Sequence, residues 1–164
     1  MARPDQHVTS VDPMKPSVTR TFTTTASVQA AYDYLRDFTN AEAWDPGTKT
    51  CVRTSGDGGV GSTYRNVSSF LGREVELTYT TAELAPPTRV HLRGSNEQFE
   101  GHDVFSIRES GRGAEVTYHA EFSFSGVSRL GIPLVAAYLP FLAKKTVAEL
   151  KTCLDRQYSR APGR

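Results

Sequence analysis

This chain of 164 residues has only two cysteines, a single tryptophan and a formal net charge of +1. Cys51 and Cys153 are far apart, in a predicted strand and a predicted helix, so we expect two buried free thiols rather than a disulfide or a metal pair. The basic residues are dispersed and show no stripe suited to nucleic acid. No nucleic-acid partner is predicted.

The sequence also lacks an apolar run of the roughly 20 residues needed to cross a bilayer. Its first residues contain no apolar segment of a secretory signal. We therefore expect a cytoplasmic protein without an integral membrane segment.

The length fits one globular domain that can bury a substantial core. Prolines among polar residues predict a disordered leader over residues 1–16, and a flexible tail is expected over residues 158–164. A single folded domain is thus predicted over residues 17–157.

The first half of the domain predicts a strand, a helix and a second strand. Alternation indicates a strand over Val18–Thr24, and Ser27 is a suitable N-cap for a following helix with apolar residues at helical spacing. After a turn, Thr48–Thr54 indicates the next strand. The glycine-rich segment Ser55–Gly61 joins two strands. It is typical of a hairpin loop, because the alternative, a phosphate cradle, needs a helix and a Gly-Lys-Ser/Thr end.

Turn residues predict an antiparallel meander for the remaining strands. The turns are expected at Leu71-Gly72, Ser95-Asn96 and Ser110–Gly113. They predict the cross-strand pairs Tyr64 with Tyr79, Asn66 with Leu77, Ser68 with Val75, Leu92 with Phe99, Phe105 with Tyr118, and Asp103 with Ala120.

Alternation in these strands separates an apolar inner face from a polar outer face. His91, His102 and His119 fall on the outer face, where exposed or cross-strand paired histidines are expected rather than ligands, and no metal is predicted. Asp103 falls on the inner face. Either it lies near a strand end and reaches water or backbone amides, or it points into a cavity and acts as an acid or base with Tyr118 nearby.

The uncharged run Leu130–Ala143 opens the predicted last helix. A helix that is apolar nearly all round must be enclosed by protein, membrane or ligand, and this run is too short to cross a bilayer. We therefore expect a curved sheet to enclose it. Pro140 predicts a kink, or alternatively a break between two helices.

Three segments carry a family resemblance: TRTFTTTASVQAAYDYLRDFTNAEAWDP, GVGSTYRNVSSFLGREVELTYTTAELAPPTRVHLRG and FEGHDVFSIRESGRGAEVTYHAEFSF. Over about Ser17–Arg156 the chain resembles the Bet v 1-like or START-like superfamily (SRPBCC), in its bacterial polyketide cyclase/dehydrase and lipid-transport branch. The resemblance implies an α+β helix-grip fold. In it, a curved antiparallel sheet of about seven strands, with one or two short helices after strand one, wraps around a long C-terminal helix and leaves a hydrophobic cavity.

Carried onto this chain, the resemblance implies a cavity wall with Asp103 and Tyr118 as candidate catalytic residues. The other expected wall residues are Trp44, Tyr64, Asn66, Tyr79, Leu92, Phe99, Phe105 and Phe122, with Val135, Leu139, Leu142, Ala143 and Val147 from the helix. The alternative is that these side chains only fill a core.

Three functions stay open at this point. The first is binding of a hydrophobic small molecule such as a lipid, a sterol-like molecule or an aromatic polyketide. The second is a cofactor-independent polyketide aromatase/cyclase or dehydratase, with Asp103 and tyrosines moving protons. The third is a protein-interaction or stress-related module. We expect a monomer or a weak homodimer, because the edge strand Thr48–Thr54 carries protective charges.

Overall fold

A seven-stranded antiparallel sheet and one long helix make up most of the structure, a computed structural model that describes residues 15–158. The strands are β1 Ser17–Thr24, β2 Thr48–Ser55, β3 Thr63–Phe70, β4 Arg73–Ala85, β5 Arg89–Ser95, β6 Phe99–Ser110 and β7 Gly113–Phe124. The helices are α1 Val28–Arg36, α2 Ala41–Trp44 and α3 Ile132–Tyr158, with 3-10 turns at Phe38–Asn40 and Gly126–Gly131. The predicted α+β helix-grip class is confirmed.

The predicted leader and tail lie almost entirely outside the described residues. Only Lys15, Pro16 and Tyr158 of these segments are described. The Pro16 carbonyl accepts a hydrogen bond from the Phe122 amide at 2.9 Å, and Tyr158 ends α3.

The sheet runs in the order β1-β7-β6-β5-β4-β3-β2, so β1 and β2 form its edges. Strands β2 to β7 are a meander, and β1 joins it beside β7. Between β1 and β2 the chain forms α1, whose N-cap is Ser27 as predicted; the Ser27 hydroxyl accepts a hydrogen bond from the Ala30 amide at 3.1 Å. α3 packs against β1 and α2.

Most of the predicted strand pairs are confirmed. The observed pairs include Tyr64 with Tyr79, Asn66 with Leu77, Ser68 with Val75, Phe105 with Tyr118, and Asp103 with Ala120. Two-residue turns at Leu71-Gly72 and at the β6–β7 hairpin leave little freedom of register, which explains the agreement.

The predicted pairing of Leu92 with Phe99 is wrong, because Leu92 pairs with Asp103. β5 continues to Ser95, and the turn that follows is closed by the Asn96 amide, which donates to the Phe99 carbonyl at 2.9 Å. The shift is an even number of residues, so the inner and outer faces of the strands are as predicted.

The run Leu130–Ala143 is not enclosed on all sides, which corrects the sequence-based expectation. Leu130 lies in a 3-10 turn before the helix, and it is exposed together with Leu134 and Phe141. The sheet covers only one face of the helix, so only that face is buried. The buried residues of its first half are Ile132, Val135, Leu139 and Ala143.

α3 continues through Pro140, so the alternative of a break between two helices is wrong. By length and composition alone, Ser128–Tyr158 is the one helical stretch among residues 15–158 that could span a membrane. Its buried side chains pack in the domain core with those of the sheet.

The two cysteines are free, as predicted, but only Cys51 is fully buried, whereas Cys153 is half-buried. Burial raises the pKa of the Cys51 thiol to about 11. On the outer face, His91 Nε2 and His102 Nδ1 lie 2.9 Å apart and form the expected cross-strand histidine pair. Within the described part of the chain, no three His, Cys, Asp or Glu side chains are placed to hold a metal ion.

Candidate functional site

A cavity of about 240 Å³ lies between the inner face of the sheet and α3. Most of its wall is aromatic or aliphatic, with polar groups at a few points. The apolar wall residues are Phe38, Trp44, Phe70, Val75, Leu77, Tyr79, Phe99, Tyr118, Phe122, Phe124 and Leu142. The others are Asp45, Gly47, Ser68, Ser69, Asn96, Gln98, Asp103, Ser128 and Thr146.

The cavity brings together part of the residue set that the resemblance implied. Of that set, Trp44, Tyr79, Phe99, Asp103, Tyr118, Phe122 and Leu142 line it. Tyr64, Asn66, Leu92, Phe105, Val135, Leu139 and Ala143 are buried in the core but do not line it, and Val147 is half-buried beside them.

The reason is that the segment after β1 fills one end of the concave sheet. α1 contacts β5, β6 and β7. The Phe38 ring packs edge-on against Tyr64 at 5.8 Å, and the Trp44 ring packs edge-on against Phe105 at 5.6 Å. Only the remaining part of the concave face is left as a cavity.

Asp103 is the most unusual wall residue, because its carboxylate lies among aromatic rings and is only 7% exposed. The Tyr118 hydroxyl donates to Oδ1 at 2.7 Å, and the Tyr79 hydroxyl donates to Oδ2 at 3.2 Å. The residue lies in the middle of β6, so the expectation of a strand-end position does not hold. Each carboxylate oxygen has one tyrosine donor and retains a lone pair for a further donor.

Burial raises the pKa of Asp103 from 3.8 to about 6. The two tyrosine hydrogen bonds act in the opposite direction because they stabilise the ionised form, while the negative charge of Asp45 raises the pKa further. Burial, and then the charge of Asp103, also raise the pKa values of Tyr79 and Tyr118 well above 10. Both tyrosines are therefore hydroxyl donors at neutral pH.

Asp45 is a second carboxylate on the wall, and the sequence pattern indicated only a turn at this position. Its Oδ1 accepts from the Gly47 amide at 3.1 Å, and its Oδ2 accepts from the Thr48 hydroxyl at 2.7 Å. Burial raises the pKa of Asp45. The Asn66 amide donates to the Thr48 hydroxyl at 3.0 Å, so Asn66 supports the wall from behind.

Trp44 lines the cavity and carries a buried hydrogen-bond donor without a partner among the described residues. The side chain is 3% exposed, and Nε1 has no hydrogen-bond partner among residues 15–158. A buried donor without a partner carries a free-energy cost of about 1–3 kcal/mol. Nε1 itself is not exposed to the cavity, so a ligand could accept from it only after the ring moved.

One end of the cavity is formed by turns and by the start of the last helix. Asn96 and Gln98 come from the β5–β6 turn, and the Ser128 hydroxyl donates to the Gln98 carbonyl at 3.0 Å. Phe70, at the end of β3, packs edge-on against Tyr138 of α3 at 5.7 Å. We call this end, defined by Phe70, Asn96, Gln98 and Ser128, the cavity mouth.

A sheet that holds a C-terminal helix and an apolar cavity between them defines a helix-grip domain. The chain belongs to the family described as polyketide cyclase/dehydrase and lipid transport, whose model matches residues 15–156. Membership confirms the resemblance inferred from the sequence. Among curated proteins, none matches the chain significantly.

Solved structures with the same fold are similar only at low identity. A START superfamily protein from Mycobacterium smegmatis has a TM-score of 0.71 at 16% identity, over 86% of this chain and 98% of that one. The Zhui aromatase/cyclase from Streptomyces sp. R1128 has a TM-score of 0.70 at 12% identity, over 89% of this chain and 94% of that one.

The di-domain ARO/CYC BexL from the BE-7585A biosynthetic pathway has a TM-score of 0.69 at 11% identity over 88% of this chain. This chain spans about half of it, 51% of its length. At these identities the comparisons establish the fold.

Proposed function

We propose that this protein binds one compact apolar molecule in the cavity and orients it by an oxygen-bearing group. The observation that carries the proposal is the aromatic cavity with a buried carboxylate, Asp103, on its wall. Small-molecule sites combine mostly apolar walls with a few polar groups that fix orientation.

The cavity volume favours a small ligand or one that extends through the mouth. About 240 Å³ lies below the roughly 300–1,000 Å³ typical of small-molecule sites. A ligand hydroxyl would donate to Asp103, since each of its carboxylate oxygens retains a lone pair beside the tyrosine hydrogen bond. A flat aromatic or sterol-like skeleton would contact the surrounding rings.

Intrinsic fluorescence tests this proposal, because Trp44 is the only tryptophan in the chain. Titration with apolar probes of increasing size should shift Trp44 emission and saturate at one ligand per chain. The variant V75F fills the cavity wall and should weaken binding at least tenfold. The matched control V52F alters an exposed valine of β2 and should bind as the unmodified chain does. Equal affinity in V75F would refute binding in this cavity.

A second function, proton-transfer catalysis on a polyketide-like substrate, is favoured by Asp103. Its pKa of about 6 leaves it mostly ionised yet able to exchange a proton near neutral pH. In this proposal the Asp103 carboxylate removes a proton from the carbon next to a substrate carbonyl. Once Asp103 takes up this proton, a tyrosine hydroxyl released from the carboxylate donates to the carbonyl oxygen and stabilises the charge that develops there. The aromatase/cyclase or dehydratase activity belongs to this proposal.

The variant D103N separates the two functions, since it keeps the shape of the side chain and removes the carboxylate that accepts and returns a proton. If the protein is an enzyme, D103N should lose turnover of an enolisable polyketone at least a hundredfold. If it only binds, D103N should change affinity and no turnover should be found with the unmodified chain. Unchanged turnover in D103N would refute the acid/base role of Asp103.

A further inference from the structure

A row of large apolar side chains lies on the side of the last helix that faces away from the sheet. Leu134 and Phe141 are 60% and 62% exposed, and Leu130, just before the helix, is 85% exposed. Leu134 and Phe141 are seven residues apart, about two helical turns, so they project from the same side. We call Leu130, Leu134 and Phe141 the apolar face of α3.

Uncompensated positive charge borders the apolar face. Arg129, Lys144 and Lys145 are exposed, and none of them has a salt-bridge partner within residues 15–158. Lys145 follows Phe141 by four residues and therefore lies on the same side of the helix. The sequence contains no Asp or Glu between Glu121 and Glu149. Along this stretch of the chain, apolar groups and cations thus occur without an acidic residue between them, and Glu97 of the β5–β6 turn is an exposed acid beside its start.

The apolar face continues to the cavity mouth. Tyr138 packs against Phe141 with ring centroids 5.9 Å apart, and on its other side it packs against Phe70 at 5.7 Å. Phe70 lines the cavity, and Leu71, next to it in the β3–β4 turn, is 40% exposed. A partner bound to the apolar face would therefore lie beside the cavity mouth.

We propose that the apolar face of α3 docks on an anionic lipid bilayer. Leu130, Leu134 and Phe141 enter the interfacial layer, and the three cations contact lipid phosphates. A helix with exposed large apolar residues beside Lys and Arg has the chemistry of an interfacial membrane helix. Near an anionic bilayer each cation strengthens binding about fivefold. An acidic protein partner would use the cations, but it gives no reason for the exposed leucine and phenylalanine side chains.

Docking in this orientation turns the cavity mouth towards the bilayer. An apolar ligand could then move between membrane and cavity without crossing water. This consequence rests on the proposed ligand-binding function, whereas the docking surface rests on α3 alone.

Vesicle flotation with the full chain tests the docking surface. The chain should bind vesicles of phosphatidylcholine with phosphatidylglycerol and should bind pure phosphatidylcholine at least tenfold more weakly. The double variant L134S/F141S should bind the anionic vesicles at least tenfold more weakly than the unmodified chain, and so should K144E/K145E. These residues are exposed, so the fold should be retained.

Matched controls alter exposed residues outside the apolar face of α3. V52S/V60S removes two exposed apolar side chains at β2 and the loop after it, and R112E reverses a charge in the β6–β7 turn. Both should bind vesicles as the unmodified chain does. Failure of the unmodified chain to bind anionic vesicles would overturn the proposal. Unchanged binding of L134S/F141S would also overturn it, because the attraction would then be one of charge alone, as an acidic protein would provide.

Ligand binding is measured in the same variants by Trp44 fluorescence, independently of vesicle binding. L134S/F141S leaves the cavity wall intact and should retain the Trp44 fluorescence response to an apolar probe. Loss of vesicle binding with an unchanged probe response supports the docking surface. Vesicle binding by a chain that shows no probe response would refute the proposed function and leave the docking surface standing.

Discussion

Asp103 is the residue whose position a plain packing account does not explain. Its neighbours across the sheet are Leu92 and Ala120, and burial without partners would cost several kcal/mol. The hydroxyls of Tyr79 and Tyr118 reduce this cost because each donates to one carboxylate oxygen. The carboxylate is thus held in an apolar wall by two fixed donors, with its pKa between that of a free carboxyl and neutrality.

The raised pKa of Asp103 predicts a pH-dependent stability. Between about pH 4 and pH 6 the folded chain holds this proton and the unfolded chain does not, so the free energy of unfolding should fall as pH rises through this window. The loss is on the order of 2 to 3 kcal/mol. Urea unfolding at several pH values should show it for the unmodified chain and not for D103N.

Comparison with D103N separates the contribution of Asp103 to the pH dependence of stability from the contributions of the other carboxyl groups. The Asp155 and Glu100 pKa values are lowered to about 2, so both residues stabilise the fold above about pH 4 and lose that contribution as pH falls towards 2. Asp155 and Glu100 are present in the unmodified chain and in D103N. Their contributions therefore cancel when the free energies of unfolding of the two proteins are subtracted. A difference between the two proteins that is constant from pH 4 to pH 7 would contradict the assigned state of Asp103.

The two tyrosines should differ in their effect on Asp103. Removing a hydroxyl that stabilises the ionised carboxyl raises its pKa. We expect a larger rise in Y118F, which loses the 2.7 Å hydrogen bond, than in Y79F, which loses the 3.2 Å bond. Carbon-detected NMR titration of the carboxyl, assigned with D103N, measures both. A lower pKa in either variant would show that the hydroxyl does not donate to Asp103.

At the scale of elements, Gly94 of β5 connects strand register to the site. It pairs with Tyr79 across the β4–β5 ladder, and a Cβ at this position would lie 2.6 Å from Tyr79 Cζ. The glycine therefore gives the Tyr79 ring the space from which its hydroxyl reaches Asp103. Its role is close packing inside a strand rather than a turn.

The variant G94A should displace the Tyr79 ring. We expect a loss of about 1–3 kcal/mol in the free energy of unfolding, because the added methyl group overlaps a buried ring. Denaturant unfolding measures this loss. G131A is the matched control, since no atom lies within 4 Å of its Cβ position, and it should change stability by less than about 0.5 kcal/mol. Equal stability of the two variants would contradict the packing role of Gly94.

The sequence predicts strand register only where the residues of a turn allow a single turn geometry. The turn at Leu71-Gly72 has a glycine at positive φ, and it determines the pairing of Tyr64 with Tyr79. The β5–β6 turn depends on backbone bonds made by Asn96, which a pattern of residue types does not reveal. The wrong pairing of Leu92 left the predicted inner and outer faces correct, because the register differs from the prediction by an even number of residues.

At the scale of the whole molecule, the cavity depends on which elements fill the concave sheet. Alternation correctly put Leu92, Phe105 and Tyr118 on one face. It could not separate core from cavity, because α1 and Phe38 decide that by packing across the sheet. The sequence also does not predict the exposed side of α3. How much of the helix is buried depends on how far the sheet curves around it, and composition does not determine that curvature.

Family membership and fold support a hydrophobic ligand without identifying it. The cavity volume and the buried Asp103 support the proposal of a compact apolar molecule with an oxygen-bearing group. A monomer or a weak homodimer in the cytoplasm stays the expectation from the sequence.

Native mass spectrometry of the chain purified from its own host tests this central claim most directly. The account predicts a species heavier than the 18.0 kDa chain by one apolar molecule, released on denaturation and missing from the cavity-filling variant V75F. The exposed-site control V52F should retain the bound molecule. A chain that is always found at its bare mass, or a bound molecule retained equally by V75F, would contradict the account.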